Sequence, residues 1–97
     1  MIVASITATV ITELQETKTA SGIQRVSFII QSEDEGSLPL RYACVAFGKI
    51  GERAAKEIKL GTTLSCYGRF SAGGPEKKIC LTISGFEVFE GAKQNGN

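Results

Sequence analysis

The sequence has no histidine and no tryptophan, and only three cysteines, two prolines and one methionine occur among its 97 residues. Without histidine, the commonest general base is absent. Cys44, Cys66 and Cys80 leave a structural zinc site one ligand short. They show no Cys-x-x-Cys spacing and lie in apolar segments, so we expect buried, reduced thiols and no metal site.

Motifs for catalysis are missing as well. The one acidic cluster, Glu33-Asp34-Glu35, falls in a predicted loop, where adjacent carboxylates point in different directions. The stretch Gly73-Gly74-Pro75 lacks the Gly-Lys-Ser/Thr ending of a phosphate-binding loop. We therefore expect a protein that is not an enzyme and that needs no cofactor.

Length, charge and hydrophobic runs limit the number of domains and the kinds of partner that we expect. We expect one domain over residues 1–90 and a short flexible tail over 91–97. The formal net charge of +1 does not by itself indicate a nucleic-acid partner. No run of about 18 apolar residues occurs, and the start Met1-Ile2-Val3 has no basic region. We expect a cytoplasmic protein with no membrane partner.

Apolar residues at period two predict five strands, over about 1–14, 23–32, 40–47, 62–70 and from 79 onward. Ile50, Ala54 and Ile58 predict a helix of about ten residues between the third and fourth strands, with Gly61 as a left-handed residue behind it. The apolar parity shifts at Ser84-Gly85, which predicts a β-bulge. Residues 13–21 and 71–75 are predicted turns or loops. Periodicity alone indicates a small β-rich domain with one helix.

The central stretch resembles the bacterial single-stranded DNA-binding (SSB) family, which includes the primosomal replication protein N (PriB) relatives. Phe47-Gly48-Lys49, the helix through Ile58, Lys59-Leu60-Gly61 and Tyr67-Gly68-Arg69-Phe70 stand where the family has its own motifs. The resemblance implies an all-β fold, a five-stranded OB-fold Greek-key barrel with one short helix between strands 3 and 4. It also implies a homo-oligomer: the PriB relatives pair as dimers, whereas SSB proper assembles as a tetramer.

The resemblance further implies a surface that binds single strands through stacked bases and phosphate contacts. Phe47 is carried over from the aromatic before the family's Gly-Lys, and Tyr67 and Tyr42 are the only tyrosines. For each aromatic, packing in the core or at a subunit interface is the alternative. The candidate cations are Arg25, Arg41, Lys49, Arg69, Lys77 and Lys78, with plain surface solubility as their alternative.

Two departures from the family change the expectation. Family members carry tryptophans on the binding face, whereas Arg41 and Pro75 stand near those places here. Fewer stacking surfaces imply weaker, more salt-dependent binding. The closing residues Gln94-Asn95-Gly96-Asn97 contain no acid, so either partner recruitment by an acidic tail is not carried over or the tail has been removed from this sequence. A PriB relative and a phage- or plasmid-encoded SSB-like protein are both compatible with these features.

We therefore expect a protein that binds single-stranded DNA without strong sequence preference, in replication, recombination or repair. Single-stranded DNA is the expected partner, and replication proteins are further candidates. Two alternatives stay open. The chain is either an OB-fold protein-interaction module of a replication or primosome complex with weak DNA binding, or an RNA-binding OB domain.

Overall fold

The structure is a computed structural model that describes residues 3–32, 40–73 and 78–89, with side chains for 6–32, 40–71 and 79–89. The elements, in chain order, are β1 (Val3–Val10), β2 (Gln15–Lys18), β3 (Gln24–Ser32), β4 (Arg41–Phe47), α1 (Gly48–Glu57), β5 (Thr63–Gly73) and β6 (Lys78–Val88). The tail predicted for 91–97 lies outside the described residues. In the described part, no helix is long and apolar enough to cross a membrane.

The strands form one sheet in the order β1-β5-β6-β4-β3-β2, and an additional β1–β3 pairing closes it into a barrel. β1 reaches both neighbours because Val3 to Thr9 pair with β5 and Ala8 to Val10 pair with β3. β4 and β6 run parallel, whereas the other pairs are antiparallel. The five long strands make the OB barrel, and α1 lies between the third and fourth of them. The predicted fold class is confirmed.

Alternate residues of each long strand point into the barrel, which is the physical origin of the period-two pattern. In β3, for example, Val26, Phe28 and Ile30 are buried, and the residues between them are not. No polar or charged side chain is buried among the described residues. The core consists of Ala8, Val10, Val26, Phe28, Ile30, Cys44, Ala46, Ala54, Ile58, Leu64, Cys66, Leu81, Ile83 and Phe86.

The helix α1 follows β4 without a loop and packs against β3, β4 and β6. The predicted apolar stripe is confirmed, since Ala54 and Ile58 are buried and Ile50 packs against the core. The guanidinium of Arg53 ties the helix to β6: it donates to the Phe86 carbonyl at 3.2 Å and lies 4.3 Å from the centroid of the Phe86 ring. The Arg53 guanidinium also forms an ion pair with the Glu57 carboxylate at 3.0 Å, one turn further along α1.

Gly61 has the expected left-handed backbone, with φ of 91°, but not at the expected place. Helix α1 ends at Glu57 with Ile58 as its C-cap, so Gly61 does not stand directly behind the helix. It lies instead in a tight turn that the Thr62 amide closes by donating to the Lys59 carbonyl at 3.0 Å. A left-handed residue at the third position of such a turn is the signature of type II, which favours glycine.

The bulge predicted at Ser84-Gly85 is present in the β5–β6 ladder. Gly68 pairs with Ile83 and Tyr67 pairs with Gly85, so Ser84 is the extra residue on β6. Gly68 is buried at this point, and a Cβ atom built on it would lie 2.0 Å from the Thr82 carbonyl oxygen. The two strands therefore approach each other closely enough at the bulge to require glycine.

The pattern missed the short strand β2 and the ends of β5 and β6. All four residues of β2, Gln15–Lys18, are exposed, so no buried side chain marks this strand in the sequence. Residues 71–73 were predicted as loop but extend β5, and Gly73 pairs with Lys78 at the start of β6. In both places the strand is defined by backbone hydrogen bonds to a neighbour, which leave no apolar alternation.

Candidate nucleic-acid interface

The candidate site is the outer face of four consecutive strands, β3, β4, β6 and β5. Its side chains have the opposite parity to the buried ones: in β4, Cys44 and Ala46 are buried, whereas Phe47 is exposed. The ladder places Arg25 directly opposite Phe47. It also puts Val45, Thr82 and Arg69 in one row across β4, β6 and β5. We call this surface the outer face.

Phe47 ends β4 and is the N-cap residue of α1, with an extended backbone at φ −117° and ψ 154°. Its side chain is 41% exposed, although nothing polar in it favours contact with water. Directly opposed residues of an antiparallel pair have Cβ atoms about 4.5–5.5 Å apart, so the Arg25 guanidinium is within reach of the ring. A residue with a flat apolar ring and a residue with a cationic side chain are therefore cross-strand neighbours on the outer face.

The two tyrosines lie on opposite faces of the sheet. Tyr67 points outward from β5 and is 50% exposed. Its ring lies over Gly85, so closely that a Cβ atom on that residue would overlap the ring. Tyr42 points inward from β4 and is half-buried, with its ring centroid 5.8 Å from that of Phe70. The ring of Tyr67 is thus accessible from solvent. Tyr42 packs against the core, which is the alternative to base stacking stated for it above.

The candidate arginines share the outer face. Arg41 and Arg69 are exposed and Arg25 is half-buried. Arg41 donates to the Gln31 side-chain oxygen at 3.0 Å, an exposed bond between cross-strand neighbours. Lys49 is exposed in the first turn of α1, next to the face rather than on it. Lys77 lies outside the described residues, and for Lys78 the structure gives only the backbone, at the start of β6.

Charge is distributed unevenly between the elements, although the whole chain is nearly neutral. The five long strands contain Arg25, Arg41, Arg69 and Lys78, but only one acid, Glu87. Two of the other acids, Glu52 and Glu57, lie on α1, and the rest lie in β2 and the connecting segments or beyond β6. The net charge of +1 therefore understates the positive character of the sheet.

The sequence did not predict a groove on the outer face, with a volume of about 290 Å³. Its floor is mainly apolar and comes from three strands: Ile29 of β3, Ala43 and Val45 of β4, and Cys80 of β6. The one signal in the sequence is Ile29, an apolar residue at an outward position of β3. The residues from the β1–β2 connection that complete the groove carry no such signal. We call it the outer groove.

The three thiols divide between the core and the outer groove. Cys44 and Cys66 are buried, whereas Cys80 is half-buried in the groove floor. A hydrogen bond with the Cys66 thiol, together with burial, raises the pKa of Cys44 well above its usual range. Cys44 and Cys66 behave as small apolar residues, as expected, whereas the prediction that Cys80 is buried is wrong, because Cys80 lies at an outward position of β6. Within the described residues, no cluster of three or more cysteine, aspartate or glutamate side chains could hold a metal ion.

No protein-family model matches the sequence, and no curated protein does. Solved structures match over nearly the whole chain. A small single-stranded DNA-binding protein from Streptomyces coelicolor superposes with a TM-score of 0.83 at 13% identity, covering 93% of this chain and 94% of that one. The SSB domain of a Synechococcus protein gives 0.79 at 19% identity, with coverages of 90% and 94%.

The PriB protein from Ralstonia solanacearum gives a TM-score of 0.74 at 19% identity, over 92% of this chain and 99% of that one. The fold is that of the single-stranded DNA-binding domains. The resemblance stated from the sequence is confirmed at the level of structure. The TM-scores establish the shared fold at identities of 13–19%.

Proposed function

We propose that this chain binds single-stranded DNA without strong sequence preference, across the outer face of its barrel. One observation carries the proposal: exposed Phe47 on β4 stands directly opposite Arg25 on β3. OB-folds bind oligonucleotides on this pair of strands. Base stacking on an aromatic ring contributes about 1–3 kcal/mol per base, and cations beside it track the phosphates. Support also comes from the similarity in fold to proteins named for single-stranded DNA binding.

In the proposed complex the strand crosses the sheet rather than following one β-strand. Arg25 belongs to β3 and Arg69 to β5, with β4 and β6 between them. Neighbouring strands lie about 4.8 Å apart, so the two arginines span about 14 Å along the sheet, enough for several nucleotides. Phe47 and Tyr67 offer stacking surfaces along the same path. Such a protein would work in replication, recombination or repair, as a binding protein rather than an enzyme.

The salt dependence of binding tests the proposal. Fluorescence anisotropy of a labelled oligo-dT, titrated with protein at several salt concentrations, gives the slope of log affinity against log salt. For single strands this slope is about −0.7 per phosphate neutralised. We expect the slope to become less negative by about 0.7 in each of three variants, Arg25→Gln, Arg41→Gln and Arg69→Gln. Lys56→Gln, which removes an exposed cation from α1, is the matched control and should leave it nearly unchanged.

Two results would count against the proposal. Absence of binding at the lowest salt, with the protein folded, would end it. Binding with a slope that none of the three arginine variants changes would mean that the phosphates lie elsewhere on the molecule. Competition with oligo-rU under the same conditions would separate a DNA-binding protein from an RNA-binding one, since stacking and phosphate contacts do not select the sugar.

A second candidate function, contact with a protein partner, is favoured by an apolar patch away from the outer face. Leu60 and Phe89 are 53% and 40% exposed. With Val88 they line a groove between the end of α1 and the end of β6. Exposed apolar groups gathered in one place mark interaction sites. If the folded protein fails to bind oligo-dT, contact with a protein partner through this patch is the candidate function that remains.

A further inference from the structure

The outer groove is lined by two charged side chains of opposite sign, Glu13 and Arg25. Glu13 is exposed and Arg25 is half-buried, and both line the groove. Within the part of the chain that the structure describes, neither side chain forms an ion pair or a hydrogen bond. Arg53 and Glu57, by contrast, do pair on α1. The groove therefore offers a carboxylate acceptor and a guanidinium donor to whatever enters it.

The wall that carries Glu13 is fixed in place by β3. The Ile11 amide donates to the Ile29 carbonyl at 2.9 Å, and the Ile29 amide donates to the Thr12 hydroxyl at 3.0 Å. Both backbone groups of Ile29 thus hold the connection between β1 and β2 against the sheet. Gln15 then pairs with Ser27 as β2 begins. Because both ends of this connection are bound to β3, the groove is formed before any ligand arrives.

The floor of the groove suits the flat face of one base. Ile29 pairs with Ala43, and Ala43 pairs with Cys80, so three strands contribute adjacent apolar groups. Three strands at about 4.8 Å spacing make a floor about 10 Å wide. A volume of about 290 Å³ lies at the lower end of the range for small-molecule sites. The groove is therefore wide enough for one nucleobase to lie flat on its floor.

We propose that the outer groove is a base-selective subsite that takes a nucleobase with an exocyclic amino group, in particular cytosine. Glu13 accepts a hydrogen bond from the amino group, while Arg25 at the same groove keeps the phosphate contact proposed above. Cytosine presents an amino donor, whereas thymine presents a carbonyl acceptor at the corresponding position. A carboxylate therefore favours cytosine over thymine. The inference rests on the proposed single-strand binding and adds a base preference to it.

The test compares oligo-dC and oligo-dT of equal length, with the same label, at neutral pH and one salt concentration. A bidentate side-chain contact to a base discriminates by about 1–3 kcal/mol, and for the single Glu13 contact we expect the lower end of this range, about fivefold in affinity. We expect the wild-type protein to bind oligo-dC at least about fivefold more tightly than oligo-dT, and Glu13→Ala to lose this preference. Glu52→Ala removes the same charge from an exposed position on α1 and should keep it.

The outcomes separate this inference from the proposed function. Failure to bind either oligonucleotide would overturn both. Equal binding of the two by the wild-type protein would overturn the inference alone. The same holds if Glu13→Ala and Glu52→Ala strengthen binding of both oligonucleotides to the same extent, because the carboxylate would then only repel phosphates.

Discussion

Substitution of Gly68 with alanine is expected to lower the free energy of unfolding by about 3–5 kcal/mol. The added Cβ would lie 2.0 Å from the Thr82 carbonyl oxygen and 3.0 Å from the Ile83 Cα. Both are backbone atoms of the paired strand β6, so they move only if the β5–β6 ladder opens. Because β5 and β6 also connect β1 to β4, the whole barrel depends on this ladder. Urea unfolding followed by circular dichroism measures the change.

Gly61→Ala is the matched control for this substitution. It adds the same methyl group at a left-handed residue, with no atom within 4 Å of the new Cβ. The cost there is conformational, about 1–2 kcal/mol. A Gly68→Ala variant no less stable than Gly61→Ala would mean that the two strands do not approach at the bulge as described.

Phe47→Ala is expected to weaken oligo-dT binding by about 1–3 kcal/mol, or about 5- to 150-fold, because one stacking surface is removed. Stability should change little, since the ring is 41% exposed. Truncation of a core phenylalanine costs about 3–5 kcal/mol of stability instead. Anisotropy with labelled oligo-dT and urea unfolding on the same preparation distinguish the two roles of this residue.

Phe89→Ala provides the comparison, because Phe89 is exposed to a similar extent, 40%, and lies outside the outer face. We expect it to bind oligo-dT like the wild-type protein. If Phe47→Ala is folded and also keeps wild-type affinity, Phe47 is not a stacking surface.

Those parts of the fold that bury side chains could be predicted from the sequence. The alternation of Val26, Phe28 and Ile30 marks β3, and the four-residue spacing of Ala54 and Ile58 marks α1, because burial imposes a period on the sequence. The polar strand β2 buries nothing, so its sequence resembles that of a loop. The parallel pairing of β4 with β6 joins segments more than thirty residues apart, and no local pattern encodes it.

In the candidate site, the positions that follow from strand alternation could be predicted, and those that depend on contacts between distant segments could not. Outward parity along each strand placed Arg25, Arg41 and Arg69 on one face, and it separated Tyr67 from Phe70 on β5. The contact between Tyr42 and Phe70 across strands could not be foreseen, since Tyr42 carries both an apolar ring and a hydroxyl. The outer groove depends on the path of the β1–β2 connection over β3. That path follows from two hydrogen bonds to Ile29, and the sequence does not indicate them.

The reactivity of the Cys80 thiol can report whether the outer face is covered. It is one of three cysteines in the whole sequence, and the other two, Cys44 and Cys66, are buried in the core. Cys80 is partly accessible and lies in the floor of the outer groove, on β6 between the strands that carry Arg25 and Arg69. A single strand bound across the face must therefore cover its thiol. The accessibility of this thiol can therefore be measured in the wild-type protein, without any substitution.

Alkylation of Cys80, followed by peptide mass spectrometry with and without oligo-dT, tests the central claim most directly. At an oligonucleotide concentration about 100 times Kd, only about 1% of the protein is free. We predict that the rate of Cys80 alkylation then falls by at least about tenfold, in parallel with the occupancy measured by anisotropy. An unchanged rate at saturation would contradict the account, because the DNA would then bind somewhere other than the outer face.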